Sequence, residues 1–145
     1  MDIKVLFTDD VVDIDGVKYH HHPNGGGMVA ETAYVAETAY IGPFVKICGR
    51  ARVIDEAMVF GNAWVFDKAE VCDNAQIFGN AKVFGNARIC DDAKVYGFAS
   101  VFGDATVSGF AQVFEYAEVS GDSHISLQSR VSGRTKINGE TISVG

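Results

Sequence analysis

Residues 75–90 read A-Q-I-F-G-N-A-K-V-F-G-N-A-R-I-C, a run in which Ile77, Val83 and Ile89 fall six residues apart and Ala75, Ala81 and Ala87 stand two residues before each of them. Working outward, the same beat holds without a missed step from Val29 to Ile137, with Val or Ile at every sixth position. The companion series is Ala33, Ala39, Val45, then Ala from Ala51 to Ala117, then Ser123, Ser129 and Thr135. A spacing of two is strand alternation, so the small and the branched residue point into one core and the residue between them points out. Those intervening positions are mostly polar: Lys46, Arg52, Glu70, Gln76, Lys82, Arg88, Lys94, Gln112 and Glu118. After each pair come corner residues such as Gly61-Asn62, Gly79-Asn80, Gly85-Asn86 and Gly103-Asp104, which tolerate positive φ at little cost. A six-residue unit is too short for a helix, and its repetition without insertion predicts a solenoid of very short strands.

The phrase I-F-G-N-A-K-V-F-G-N-A-R, Ile77 to Arg88, resembles the repeats of left-handed parallel β-helix proteins, where three hexapeptides make one triangular coil. The likeness spans residues 29–141. It implies left-handed winding, against the general preference for right-handed crossovers, and it implies a homotrimer. The acyltransferase form of this repeat puts Gly directly after the aliphatic residue; here Phe60, Phe78, Phe84 or Tyr96 takes that place and Gly follows one later. The chain is more similar to bacterial and phage proteins with G-N-A-x-V segments, which implies a phage-borne module acting on a host protein.

The expected architecture is all-β, a triangular solenoid of about six coils and roughly 30 Å in height at the strand spacing of about 4.8 Å. Residues 1–28 are read as an N-terminal β cap and Gly-rich lead-in, 29–141 as the β-helix and 142–145 as the C-terminal end. Val5, Phe7, Val11, Val12 and Ile14, with Asp15-Gly16 as a hairpin turn, supply the cap, and Ile142 with Val144 closes the far end.

Writing the chain in rows of 18 shows which residues stack. One column reads Phe66, Phe84, Phe102 and a second Phe60, Phe78, Tyr96, Phe114; a third reads Ile54, Cys72, Cys90, Ser108, Ser126. Aromatic columns on the outside of a prism make large apolar patches unless a second subunit covers them or the rings stack on one another within the chain. The expectation is that at least one aromatic column is a subunit interface. Beside the third column lies an acidic edge of Glu37, Asp55, Asp73 and Asp91, with Glu56 and Asp92 adjoining. Stacked like charges repel, and Arg52 and Arg88 are the nearest cations to offset them. The edge is read either as a dock for a basic partner or cation, or as a consequence of Asp suiting the corner.

Composition removes several classes. Apolar residues are 48 % and charged residues 21 % of 145, which suits one folded domain. The net charge of −7 is spread along the chain with no basic cluster, so nucleic acid is not expected as a partner. No apolar run reaches the roughly 18–20 residues of a membrane span and no signal peptide is visible, so a cytoplasmic location is expected, with no membrane partner. Cys48, Cys72 and Cys90 lack zinc-ribbon spacing and an even count, and are read as reduced thiols.

Candidate chemistry is sparse. In His20-His21-His22-Pro23-Asn24-Gly25-Gly26-Gly27 only His20 and His22 would share a face of an extended chain, so they are weak metal candidates and the run reads as a junction. His124 is the only histidine inside the repeats, a weak candidate for a general base beside Ser123 or Ser126. No cofactor is expected. Scattered threonines do not make an ice-binding face, and Lys and Arg interleaved with the acids disfavour a DNA mimic. The reading is a non-catalytic, trimeric, rigid binding or structural module; an acyltransferase with an intersubunit site and a small-ligand sequestering protein are the alternatives.

Overall fold

A computed structural model describes residues 11–145. Val5 and Phe7 of the expected cap lie outside the described residues.

The structure is a parallel β-solenoid of about six coils with no helix among the described residues. Most strands are two residues long, and each pairs in parallel with the strand 18 residues on, as Lys82 with Ser100 and Glu70 with Arg88. Three sheets result. Face 1 contains Met28–Ala30, Lys46–Ile47, Trp64–Val65, Lys82–Val83, Ser100–Val101, Glu118–Ser120 and Lys136–Asn138. Face 2 runs from Tyr34–Val35 through Glu70–Val71 and Arg88–Ile89 to His124–Leu127 and Thr141–Val144. Face 3 runs from Tyr40–Ile41 through Gln76–Ile77 and Lys94–Val95 to Arg130–Val131.

Two-residue strands have no stability of their own, and neighbouring coils supply it. In the unit 78–83, Phe78, Asn80 and Lys82 donate their N–H groups to Val95, Gly97 and Ala99 of the next coil, at 3.0, 2.7 and 3.0 Å. Ala81 donates back to Phe78 across the corner at 3.3 Å. Inside, the Val/Ile and Ala columns are almost wholly shielded from water and form one continuous core. Where Ser replaces Ala near the C-terminal end, its hydroxyl finds partners. Ser123 Oγ donates to Ser120 O at 2.6 Å and accepts from the N–H groups of Gly139 and Glu140, while Ser129 Oγ accepts from Val144 N.

The N-terminal edge of face 1 is covered by an antiparallel hairpin, Val12–Ile14 and Val17–His21, turning at Asp15-Gly16 as expected and pairing with Met28–Ala30. At the other end Thr141–Val144 lies on His124–Leu127 with a spacing of 17, because the six-residue beat slips after Ile137. Ile142 packs on the core, whereas Val144 is 61 % exposed and does not close the coil with it.

Candidate functional site

From Gly49 onward each corner repeats a left-handed backbone at its second residue. Gly fills it in most units, for example Gly79 at φ 66°, and acids fill it in five coil positions: Asp55, Asp67, Asp73, Asp91 and Glu115, at φ 55–59°. All five carboxylates do the same thing. Each accepts the N–H of the corresponding residue one coil on: Asp55 from Asp73, Asp73 from Asp91, Asp91 from Gly109, Asp67 from Gly85 and Glu115 from Gly133, at 2.8–3.1 Å. Charge-assisted bonds of this kind offset the repulsion within the acidic column. Arg52 and Arg88 do not perform the offset expected of them: both pair with Glu70, which stands between them on face 2, at 3.0 and 2.9 Å. Glu37, in the first coil, does not adopt the left-handed conformation and is not part of this chain of bonds; its neighbour Thr38 instead donates to the Asp55 carbonyl.

The aromatic columns form two ladders. Phe66, Phe84 and Phe102 stack at 4.7 and 4.8 Å between centroids, with ring planes nearly parallel. Phe60, Phe78, Tyr96 and Phe114 stack at 4.8, 4.7 and 5.1 Å, and the Arg130 guanidinium lies over the last ring at 4.9 Å. All seven rings are half-buried by their neighbours in the same chain. More ring surface is open elsewhere, at the third corner position, where Phe44, Phe98 and Tyr116 share a column with Asn62, Asn80 and Arg134 and lead onto face 1. Phe98 and Tyr116 stack at 5.2 Å while remaining 55 % and 52 % exposed, and Arg134 covers Tyr116 from the far side. These residues were missed in the sequence reading, although Y-G-F-A at 96–99 and F-E-Y-A at 114–117 stand where neighbouring units carry Asn or Asp. On the same face Trp64 sits between Lys46 and Lys82 and against Phe66.

The cysteines separate into two environments. Cys48 accepts from Trp64 Nε1 at 3.3 Å and lies by the buried Tyr19, whose phenol is pushed up by burial and by Cys48. Cys72 and Cys90 stack beside the acidic column. Burial first, then the Cys90 sulfur and the Asp73 and Glu70 carboxylates, push the Cys72 thiol up to about 12. Cys90 is raised by burial and by Asp91.

The histidines do not converge. His22 is buried with Nε2 2.9 Å from the Ala36 carbonyl and Nδ1 facing Asn24, so it ties the lead-in to the first coil. His21 Nδ1 contacts Gly26 O at 2.7 Å, and His20 is exposed on the hairpin. His124 faces outward on face 2 while Ser123 faces inward with its hydroxyl engaged, because adjacent strand residues point to opposite sides. The His124–Ser123 pairing therefore does not form. No helix among the described residues is long and apolar enough to cross a membrane.

No protein-family model, no curated protein and no solved structure matches this chain.

Proposed function

We propose that this chain is a rigid, non-catalytic binding module that works by presenting the faces of its prism, and that its first partner is a copy of itself in a homotrimer. The observation that carries the reading is the stacked pair Phe98–Tyr116, more than half exposed in a column that carries Asn62 and Asn80 in the preceding coils. Phe44, at 78 % exposure, is a second open ring in the same column, separated from this pair by Asn62 and Asn80. Covering a large ring stabilises by about 1.5–3 kcal/mol relative to leaving it in water, and the adjacent Phe98–Tyr116 pair concentrates that gain in one patch. Rigidity suits the role: coil-to-coil hydrogen bonds leave no flexible loop between residues 29 and 137.

The trimer and the left-handed winding belong to this proposal, as implied by the likeness to hexapeptide-repeat solenoids. So does a setting in which a phage-borne protein engages a host protein in the cytoplasm. Native mass spectrometry of the wild type and of a Phe98→Ser/Tyr116→Ser variant tests the assembly. A wild-type trimer that falls to lower mass in the variant, with an unchanged far-ultraviolet spectrum, supports it. A wild-type monomer at micromolar concentration refutes it, and a variant that stays trimeric refutes the role of this pair.

A further inference from the structure

On two corners the residue after the inward Val or Ile is a ring that stacks on its counterpart one coil away, as Phe66 does on Phe84. On the third corner two successive coils place a thiol there, Cys72 and Cys90, following the paired strands Glu70–Val71 and Arg88–Ile89. Asp73 brings a carboxylate to the same point. The two sulfurs and a carboxylate oxygen of Asp73 lie within 4.8 Å of one another, with Asp73 Oδ2 4.0 Å from Cys72 Sγ. Among the described residues no other three His, Cys, Asp or Glu side chains converge in this way. A second observation singles out the sulfur: Cys72 is only 5 % exposed, and its Sγ has long contacts to Ile89 O at 3.8 Å and the Asp73 carboxylate at 4.0 Å, with the Arg88 guanidinium beside it.

We infer that Cys72, Asp73 and Cys90 bind one Zn²⁺ per chain, with water in the fourth position. Two thiolates and one carboxylate suit a borderline-soft d¹⁰ ion, whereas Mg²⁺ and Ca²⁺ select all-oxygen sets. With Zn–S bonds of about 2.3 Å, a tetrahedral site sets its sulfurs about 3.8 Å apart, so the donors close by movements of about 1 Å without shifting the coils. The carboxylate column alone would make no site: Asp55 and Asp73 each commit Oδ2 to the backbone N–H one coil on, and Asp73 has its Oδ1 and the remaining lone pair of Oδ2 left to offer an ion beside the two sulfurs. The thiols supply the missing donors, while Asp55 and Asp91 on either side of Asp73 add negative potential. Arg88, the nearest cation, pairs with Glu70 at 2.9 Å and also reaches Cys72, so on loading it turns wholly to Glu70. On loading, each S–H bond is replaced by an S–Zn bond, the two protons leave to solvent, and no electrons change hands.

The test is a titration of the reduced, chelator-stripped protein with Cd²⁺ as optical probe, followed by Zn²⁺ in competition. The expected result is a sulfur-to-cadmium charge-transfer band that saturates at one equivalent and is displaced by Zn²⁺. Cys72→Ser and Cys90→Ser each abolish it, Cys48→Ser leaves it unchanged, and Asp73→Asn weakens affinity by about tenfold or more. Serine is tolerated in this column, where Ser108 and Ser126 already stand, so circular dichroism should report folded variants. Absence of the band in the wild type overturns the inference, as does a band that survives in the Cys72→Ser/Cys90→Ser double variant. A Cys72–Cys90 disulfide in protein isolated without reductant, with no metal uptake after reduction, overturns it as well.

Discussion

At the scale of single residues the decisive position is the left-handed corner, where two solutions coexist. Glycine is one: a Cβ on Gly79 would stand 2.8 Å from the Gly97 nitrogen, so crowding by the next coil adds to the φ penalty. An acid is the other. It tolerates the backbone less well than Gly, but its carboxylate accepts the corner N–H of the coil beyond. Asp91 separates the two contributions, with φ 58° and a bond of 2.9 Å from Gly109 N. Asp91→Ala should cost about 1–2 kcal/mol, from the φ penalty and the lost acceptor together. Asp91→Asn, which keeps an acceptor and tolerates this backbone, should cost less than half as much in urea titrations. Equal losses for the two would refute the assigned role. Leu127, at φ 56°, is the one aliphatic residue at such a corner, and nothing in the structure explains its choice over Gly.

At the scale of the element, a strand of two residues is a surface for its neighbours to bond and pack on. The aromatic ladders show the packing half of this. Phe84 is held between Phe66 at 4.7 Å and Phe102 at 4.8 Å, so Phe84→Ala removes two stacked contacts and half-buried area. About 2–3 kcal/mol should be lost, below the figure for a fully buried ring, and chemical denaturation of the variant reads it directly. A change under about 0.5 kcal/mol would mean that the ladder is incidental. These columns were legible once the chain was written in rows of 18, and so was the alignment of Arg52, Glu70 and Arg88 that the structure turns into a three-member ion network. Charge and nearness alone point those arginines at the acidic edge, but Glu70, the side chain directly opposite each in the sheet, takes both.

At the scale of the whole molecule, the inward pattern repeats every six residues while the outer columns repeat every 18. The two periods make separable predictions. Deleting one full coil, residues 74–91, leaves every column in register, so the shortened protein should keep its far-ultraviolet spectrum with a modestly lower Tm. Deleting only residues 80–85 preserves the core pattern but advances all later corners by one face. Rings then meet thiols and serines, the ladders break, and Tm should fall much further despite the smaller deletion. The reverse order of stabilities would show that the ladders contribute little. His22 is a feature of this scale too: its ring bonds the Ala36 carbonyl across the junction between lead-in and first coil.

The six-residue beat made the solenoid and its core columns legible, because strand alternation and a fixed period leave one way to bury Ala and Val together, while the 18-residue coil was implied by the likeness to hexapeptide-repeat solenoids. The sequence could not determine which outer groups use one another. That a carboxylate accepts the N–H one coil on, that His124 and Ser123 point apart, and that Phe98 and Tyr116 stay open while Phe84 is half-covered were decided by tertiary structure. The physical reason is that periodicity assigns a residue to a face, whereas bonding depends on φ at the corner, side-chain reach and what the adjacent coil presents.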